Sequence, residues 1–158
     1  MAGFYGTFTP RLDDKGRVTI PAAYRKHFAE GAMVVRGDTR CLYLFTENEF
    51  GRFAEEAVNT PVTDVRNIGP ARYMLANSEP QMPDAQGRIM LSARMRDYAE
   101  LGRDVVLTGQ GRRMEIWNTE RWAAYEAAQE AGYVDPSQRD AAAPATGDAL
   151  AAGTGSEQ

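Results

Sequence analysis

The residues best suited to chemistry lie in one short motif that the chain contains twice. The copies read Asp13-Asp14-Lys15-Gly16-Arg17-Val18-Thr19-Ile20-Pro21 and Asp84-Ala85-Gln86-Gly87-Arg88-Ile89-Met90-Leu91-Ser92. A glycine accepts a positive φ without steric cost, and an aspartate accepts hydrogen bonds from nearby backbone N–H groups. The motif therefore predicts a tight turn, shaped by Asp13 and Gly16 in the first copy and by Asp84 and Gly87 in the second.

The strand predicted after the first turn carries its basic side chain away from the core. Side chains alternate along a strand, so Val18 and Ile20 face one way and Arg17 faces the other. Lysine and arginine at the mouth of a turn suit phosphate oxygens, and an arginine can also pair with a guanine edge. Lys15 and Arg17 are therefore predicted to be free to contact nucleic acid.

A plainer interpretation is that each aspartate holds its turn and pairs with the arginine four residues later. An exposed ion pair contributes only about 0–1 kcal/mol, so this explains Asp13 better than it explains Arg17. The copies also differ, because Gln86 stands where Lys15 stands in the first. If only one copy contacts nucleic acid, the prediction is that it is the first.

Other chemistry is poorly supported by the residue types present. His27 is the single histidine and Cys41 the single cysteine, which disfavours zinc sites, disulfides and histidine-activated nucleophiles. The acidic pairs Asp13–Asp14 and Glu55–Glu56 are sequence neighbours in a turn and on an exposed helix face, which does not suit acid–base catalysis. The glycines of the Gly109–Gly111 segment do not indicate a nucleotide-binding loop, because they lie in a predicted hairpin and no helix begins after them. We predict no catalytic residue, metal or cofactor, and no enzyme.

Charge is unevenly distributed along a chain that is acidic overall. The 158 residues carry a net charge of −4, with 43% hydrophobic and 25% charged residues, which is ordinary for a globular protein. Residues 1–28 nevertheless carry five basic side chains against two acidic ones. No apolar run approaches the roughly 20 residues that span a bilayer, and the first ten residues do not resemble a signal peptide. We predict a cytoplasmic protein.

The duplication extends well beyond the motif. Two β-hairpins are predicted, with strands 33–36 and 42–45 in the first copy and 105–108 and 114–117 in the second. A short helix is expected after Pro21 and after Ser92, and the capping box that begins at Thr46 predicts a longer one. Its counterpart is predicted to begin near Thr119. A unit of this size buries little apolar surface alone, so each copy needs a partner, and the other copy is the nearest.

Segments outside the duplication are harder to assign. Residues 7–12 suggest an edge strand, and residues 61–77 form a connector that Gly69-Pro70 is expected to kink or divide. After residue 134 the composition is rich in Ala, Gly, Pro and Ser, which is typical of disorder. The predicted organisation is a repeat at 7–49, a helix and connector at 50–78, a second repeat at 79–121, a C-terminal helix at 122–134 and a disordered tail at 135–158.

The tandem motifs, from Leu12 to Pro21 and from Pro83 to Ser92, with Gly6 shortly before the first, resemble the MraZ family. Members of this family are bacterial transcriptional regulators with two SpoVT-AbrB (AbrB-like) repeats. The resemblance covers about residues 4–125. It implies an α+β, β-rich fold in which tandem swapped-hairpin repeats form a pseudo-two-fold double-split β-α-β barrel with flanking helices.

The resemblance also implies partners and site residues. It implies a ring-shaped homo-oligomer, associated with the nucleoid, that binds double-stranded DNA at promoter direct repeats upstream of the division and cell-wall gene cluster. Lys15 and Arg17 would contact DNA, with Arg88 the equivalent of Arg17, and Arg11 from the same basic segment is a further predicted contact. The alternative function is an oligomeric scaffold or interaction protein, in which the basic turn is incidental.

Overall fold

The computed structural model describes residues 3–139 and has the α+β class that the sequence predicts. It divides into two compact units, one ending at Trp122 and one beginning at Ala123. The strands are β1 (Thr7–Phe8), β2 (Arg17–Thr19), β3 (Ala32–Arg36), β4 (Leu42–Thr46), β5 (Ser78–Gln81), β6 (Arg88–Met90), β7 (Val105–Gly109) and β8 (Met114–Asn118). The α-helices are α1 (Glu47–Val58), α2 (Val65–Ala76), α3 (Ala93–Tyr98) and α4 (Thr119–Val134), and 3-10 helices span Ala22–Phe28, Asp38–Arg40 and Pro136–Gln138.

The first unit exchanges strands between the two repeats. Its six-stranded sheet has the order β1-β7-β8-β4-β3-β5, and both predicted hairpins, β3–β4 and β7–β8, are present in it. The strand before the first motif, β1, pairs with β7 of the second repeat, and β5, before the second motif, pairs with β3 of the first. Each repeat therefore completes the sheet of the other. The closed barrel implied by the resemblance stays a prediction.

Two strand pairs relate the repeats by approximate two-fold symmetry. In the sheet, β4 pairs antiparallel with β8, and Tyr43 lies opposite Glu115. In a separate two-stranded sheet, β2 pairs antiparallel with β6, and Val18 lies opposite Ile89. Each of these pairs joins equivalent positions of the two copies. The pseudo-two-fold axis therefore passes close to both pairs.

The apolar residues of the two motifs form the centre of the core. Val18 and Ile89 are 0% exposed, and Ile20 and Leu91 are equally well buried. They pack in one cluster with apolar side chains from both hairpins. Because the inward residues of both motifs enter one cluster, burial of either motif depends on the other. The outward side of β2 and β6 carries Arg17, Thr19, Arg88 and Met90.

Helix starts follow the predicted caps. Thr46 Oγ1 accepts a hydrogen bond from the Glu49 N–H at 3.2 Å before α1, and Ser92 Oγ accepts one from the Met95 N–H at 3.3 Å before α3. Both side chains satisfy backbone donors that a helix leaves unpaired in its first turn. After Pro21, in contrast, the chain forms the 3-10 helix Ala22–Phe28 rather than an α-helix.

The connector was expected to be kinked or divided at Gly69-Pro70, and it is not divided there. Helix α2 runs from Val65 to Ala76 with Pro70 inside it. A proline deprives the carbonyl four residues earlier of its partner, and here that carbonyl belongs to Arg66, which is exposed. Water can satisfy an exposed carbonyl, so the helix continues through the proline.

Two terminal segments also differ from the sequence expectation. Only Thr7–Phe8 of the predicted 7–12 strand is regular, followed by an isolated bridge between Arg11 and Asp104. In the second unit, the start of the predicted disordered tail forms the 3-10 helix Pro136–Gln138, and residues 140–158 of that tail lie outside the described residues. No helix within residues 3–139 is both long and apolar enough to span a bilayer.

Candidate nucleic-acid interface

The first turn is built around the carboxylate of Asp13. Its Oδ1 accepts hydrogen bonds from the backbone N–H groups of Lys15 at 3.0 Å and Arg17 at 2.9 Å. Its Oδ2 accepts one from Nε of the Arg17 side chain at 2.6 Å. Gly16 has a φ of 79° and donates its N–H to the Asp13 carbonyl. One carboxylate therefore fixes both the path of the backbone and the direction of the arginine.

The second turn repeats this arrangement contact by contact. Asp84 Oδ1 accepts hydrogen bonds from the N–H groups of Gln86 at 2.9 Å and Arg88 at 3.0 Å, and Oδ2 accepts one from Arg88 Nε at 2.7 Å. Gly87 has a φ of 74°. The two turns are thus alike in backbone geometry, and they differ in the side chains at their tips, where Asp14 and Lys15 of the first correspond to Ala85 and Gln86 of the second.

Pairing of β2 with β6 brings the two turns to one surface. Val18 and Ile89 point into the core from the centre of this pair, which leaves Arg17 and Arg88 on its outer side. Nη1 of Arg17 lies 3.8 Å from Oδ2 of Asp84 in the opposite turn. The two arginines and two aspartates therefore form one connected group, which we call the paired turns (Asp13–Arg17 and Asp84–Arg88).

The structure corrects the expectation that Arg17 is free. Its side chain is 24% exposed and its Nε is engaged by Asp13, and the Arg88 side chain is 29% exposed and held in the same way by Asp84. Neither Nη nitrogen of Arg17 makes a hydrogen bond to any of residues 3–139. Each arginine is therefore oriented by its aspartate while its terminal nitrogens stay available as donors.

Sequence reasoning missed a second pair of arginines, Arg25 and Arg96. Nε of Arg25 donates to the Ile20 carbonyl, and Nε of Arg96 donates to the Leu91 carbonyl, both at 3.1 Å. Each side chain crosses the glycine of the opposite turn. The 71-residue offset that aligns the motifs also aligns these arginines, so the repeat itself was a signal for them.

Close packing at the two glycines shows how tightly these arginines cover the turns. A Cβ placed on Gly16 would lie 2.7 Å from Nε of Arg96, and one on Gly87 would lie 2.5 Å from Nε of Arg25. Backbone bonds also cross between the copies, since Ile20 donates to the Gly87 carbonyl and Leu91 to the Gly16 carbonyl. Both turns are therefore locked by the opposite repeat.

The aspartates of the paired turns stay ionised at neutral pH. The pKa of Asp13 is lowered, first by the hydrogen bond from the backbone N–H of Arg17 and further by the Arg17 guanidinium. The pKa of Asp84 is lowered in the same way by Arg88. A hydrogen bond to the charged form stabilises that form. The ionised carboxylates of Asp13 and Asp84 therefore orient the guanidinium groups of Arg17 and Arg88.

The other predicted contacts differ in their surroundings. Lys15 is exposed at the tip of the first turn, and among the residues that the structure describes it makes no ion pair and donates only its backbone N–H, to Asp13. Arg11 is paired with Asp104, Nε to Oδ1 at 3.0 Å, and both side chains are largely exposed. Lys15 can therefore meet an anion without breaking an ion pair, whereas Arg11 must first leave Asp104.

The paired turns present donors without a metal site. Within residues 3–139, no grouping of His, Cys, Asp and Glu has the geometry to hold a metal ion. The available groups are guanidinium and ammonium donors on a rigid β-scaffold, and these bind phosphate oxygens and base edges.

Fold and turns together define an α+β protein made of two equivalent, strand-exchanged halves. The family model described as "MraZ protein, putative antitoxin-like" matches residues 4–67 and 74–143. The chain belongs to the MraZ family.

Curated relatives cover most of the chain. A protein of Micrococcus luteus is 41% identical over 135 residues, which are 85% of this chain and 94% of the relative. A protein of Saccharopolyspora erythraea is 44% identical over 122 residues, 77% of this chain and 85% of the relative. One from Arthrobacter sp. is 39% identical over 141 residues, 89% of this chain and 97% of the relative. Each of the three is named "Transcriptional regulator MraZ".

Proposed function

We propose that this protein regulates transcription by binding double-stranded DNA through the paired turns. Membership of a family whose curated relatives are named transcriptional regulators supports the regulatory role. The observation that carries the DNA contact is the geometry of Arg17. Asp13 holds its Nε at 2.6 Å while its Nη nitrogens make no hydrogen bond within the described residues.

A pre-oriented arginine is suited to reading DNA. Ordering a free arginine on binding costs side-chain entropy, and an arginine already held by a carboxylate avoids part of that cost. Its planar fork can then bond a phosphate or the O6 and N7 atoms of a guanine. In this proposal Arg17 makes the central contact, Lys15 adds an adjacent phosphate contact and Arg25 lies beside the second turn. Arg88 takes the equivalent place in the second repeat.

The proposal includes self-assembly. One pair of turns offers few contacts, so binding gains from several subunits that meet repeated DNA sites together. We propose a ring-shaped homo-oligomer that acts in the cytoplasm, at the nucleoid, on promoter direct repeats of the division and cell-wall gene cluster. Affinity is then multivalent and falls steeply with salt, because each phosphate contact releases counterions.

An electrophoretic shift on DNA from upstream of the protein's own gene tests the proposal. Wild type is compared with Arg17→Ala and with Arg103→Ala, which removes an exposed arginine outside the turns. We expect Arg17→Ala to weaken binding at least tenfold and Arg103→Ala to change it little, since a charge-assisted hydrogen bond contributes about 1.5–3 kcal/mol. Equal binding by wild type and Arg17→Ala would refute the role of the turns. Wild-type protein that binds no such DNA would favour the scaffold alternative.

Multivalency is tested by varying the number of direct repeats in the probe. We expect affinity to rise by much more than the statistical factor when several repeats are present. Equal affinity for one repeat and for several would contradict the multivalent proposal.

A further inference from the structure

A second group of arginines lies on the face of α3 away from the paired turns. Arg94 and Tyr98 are four residues apart on α3 and share a face, whereas Arg96 points toward the first turn. Two guanidinium groups lie over the ring of Tyr98, one from Arg36 at the end of β3 and one from Arg40 in the β3–β4 loop. The Cζ atoms of Arg36 and Arg40 lie 4.9 Å and 5.4 Å from its centroid.

Arg94 is connected to Arg36 through hydrogen bonds that both residues make with Asn77. Nη2 of Arg94 donates to Asn77 Oδ1 at 3.4 Å, and the backbone N–H of Arg36 donates to the Asn77 carbonyl at 3.3 Å. We call Arg36, Arg40 and Arg94 the arginine cluster. It lies where the hairpin loop of the first repeat meets the helix of the second.

The cluster is short of negative charge. No carboxylate within residues 3–139 lies within 4.0 Å of Arg36 or Arg40, and the Glu79 carboxylate reaches Arg94 only at 4.0 Å. Glu100, whose charge Arg40 stabilises weakly, is already bonded to Arg121 at 2.7 Å. Like charges gathered on one surface repel each other, so an added anion would stabilise the cluster.

One donor of the cluster has no acceptor among residues 3–139. Nε of Arg36 is buried and makes no hydrogen bond to any described residue, although Nη1 of the same side chain donates to the Tyr73 hydroxyl at 3.2 Å. An unpaired buried donor is costly, and native proteins satisfy most such groups. Because this N–H is covered, an added anion would act on the charge of the Arg36 guanidinium, which lies over the Tyr98 ring, and not through a hydrogen bond to Nε.

Two hydrogen bonds hold Tyr98, whose ring is the platform beneath the cluster, against the β3–β4 hairpin. The Tyr98 hydroxyl donates to the Gly37 carbonyl, and Arg40 Nη1 donates to the Tyr98 carbonyl at 3.3 Å. Thr39 and Arg40 have φ values of 50° and 62°, in the left-handed region that non-glycine residues rarely adopt. This strained loop turns Arg40 back over the ring, and such strain is typical of functional sites.

We propose that the arginine cluster binds a phosphate group on the Tyr98 platform. Guanidinium groups match phosphate oxygens in planar, paired hydrogen bonds, and a phosphate brings the negative charge that the cluster lacks. A free phosphorylated molecule and a nucleic-acid backbone share this chemistry. The site is separate from the paired turns and does not depend on the function proposed for them.

Isothermal titration with inorganic phosphate, at constant ionic strength against chloride, tests the site on the full chain. The variant Arg40→Gln removes an exposed guanidinium, and Arg66→Gln removes an exposed one on α2 as the control. Loss of one charge-assisted contact is expected to weaken phosphate binding about tenfold in Arg40→Gln and to leave Arg66→Gln unchanged. Arg40→Gln leaves Arg17 and Arg88 of the paired turns in place, so this result does not depend on the function proposed for them.

A second titration with a 20-base-pair duplex separates the two sources of phosphate. If inorganic phosphate gives no heat but Arg40→Gln weakens duplex binding about tenfold more than Arg66→Gln does, the cluster binds backbone phosphates. Arg36→Lys, which keeps the charge but loses the fork, should weaken whichever ligand binds. If Arg40→Gln and Arg66→Gln behave alike with both ligands, the proposal is overturned.

Discussion

Arg25 lies across Gly87 so closely that a Cβ on this glycine would fall 2.5 Å from the arginine Nε. Residue 25 belongs to the first repeat and residue 87 to the second, and Arg96 covers Gly16 in the same manner. The two repeats thus close each other's turns. Local turn geometry and long-range packing are coupled at these two glycines.

Substitution of Gly87 should destabilise the fold. Gly87→Ala places a side chain at a φ of 74° and against Arg25, so we expect a loss of about 1–3 kcal/mol in the free energy of unfolding. Urea denaturation followed by circular dichroism measures it. Gly102→Ala is the matched control, because a Cβ there meets nothing within 4 Å. Equal losses in the two variants would show that Arg25 and the positive φ impose no constraint.

The turn aspartates should make stability depend on pH in the acid range. Their pKa values are lowered in the folded state, so their contribution is present above the unfolded value near 3.8 and is lost as pH falls through the folded value. Urea titrations between pH 2 and pH 7 should show a smaller acid loss for the double variant Asp13→Asn, Asp84→Asn. Asp14→Asn is the control, because it also removes a turn carboxylate but leaves the Asp13–Arg17 and Asp84–Arg88 pairs in place. An unchanged profile in the double variant would contradict the prediction.

Substitutions at Lys15 and at its equivalent Gln86 should change how strongly DNA affinity depends on salt. Lys15→Gln removes one phosphate contact, so the slope of log affinity against log salt should become shallower by about one per turn bound. Gln86→Lys should steepen it if the second turn also meets the backbone. Salt titrations by fluorescence anisotropy measure both slopes. Identical slopes for wild type and Lys15→Gln would place Lys15 outside the interface.

Glu115 should be essential for stability. It is 6% exposed, its Oε2 accepts from Arg113 at 2.7 Å and its Oε1 accepts from the Trp117 indole at 3.0 Å. Glu115→Ala leaves both donors without this acceptor, and we expect a loss of about 2–4 kcal/mol. Urea denaturation with tryptophan fluorescence is the measurement, and Glu120→Ala is the exposed control. A loss no larger than that of the control would contradict this role.

The Cys41 thiol should be unreactive in the folded protein. Cys41 is fully buried, and this burial raises the pKa of its thiol, so the reactive thiolate is scarce at neutral pH. We expect Ellman's reagent to react with it only as fast as the protein unfolds. The rate should rise with urea along the unfolding curve, and rapid labelling without denaturant would contradict the prediction.

Local features of the fold were predictable from the sequence, because short-range chemistry determines them. Thr46 and Ser92 are N-cap residues that indicate where helices begin, and the alternation of Val18 and Ile20 identifies the buried side of β2. The two hairpins follow from the same kind of pattern, whereas the α+β class was implied by the resemblance to the MraZ family. Pro70 does not divide α2, because the Arg66 carbonyl that it leaves without a partner is exposed and can bind water.

The candidate site was only partly predictable, because its decisive contacts join distant residues. The spacing of Asp13 and Arg17 suggests their pairing, but nothing local indicates that β2 pairs with β6. The covering of Gly16 by Arg96 is likewise invisible in either segment alone. A repeat offset identifies equivalent residues, but it does not reveal which residues of opposite copies meet.

The two strand-exchanged repeats lie in one chain, and this allows their sequences to differ. In a symmetric dimer of identical single-repeat chains, any substitution would appear in both turns at once. Here both halves lie in one chain, so position 15 can be a lysine while its equivalent at 86 is a glutamine. Covalent fusion thus allows the two turns of a two-fold scaffold to differ, with the charged pair Asp14-Lys15 in one turn and the uncharged pair Ala85-Gln86 in the other.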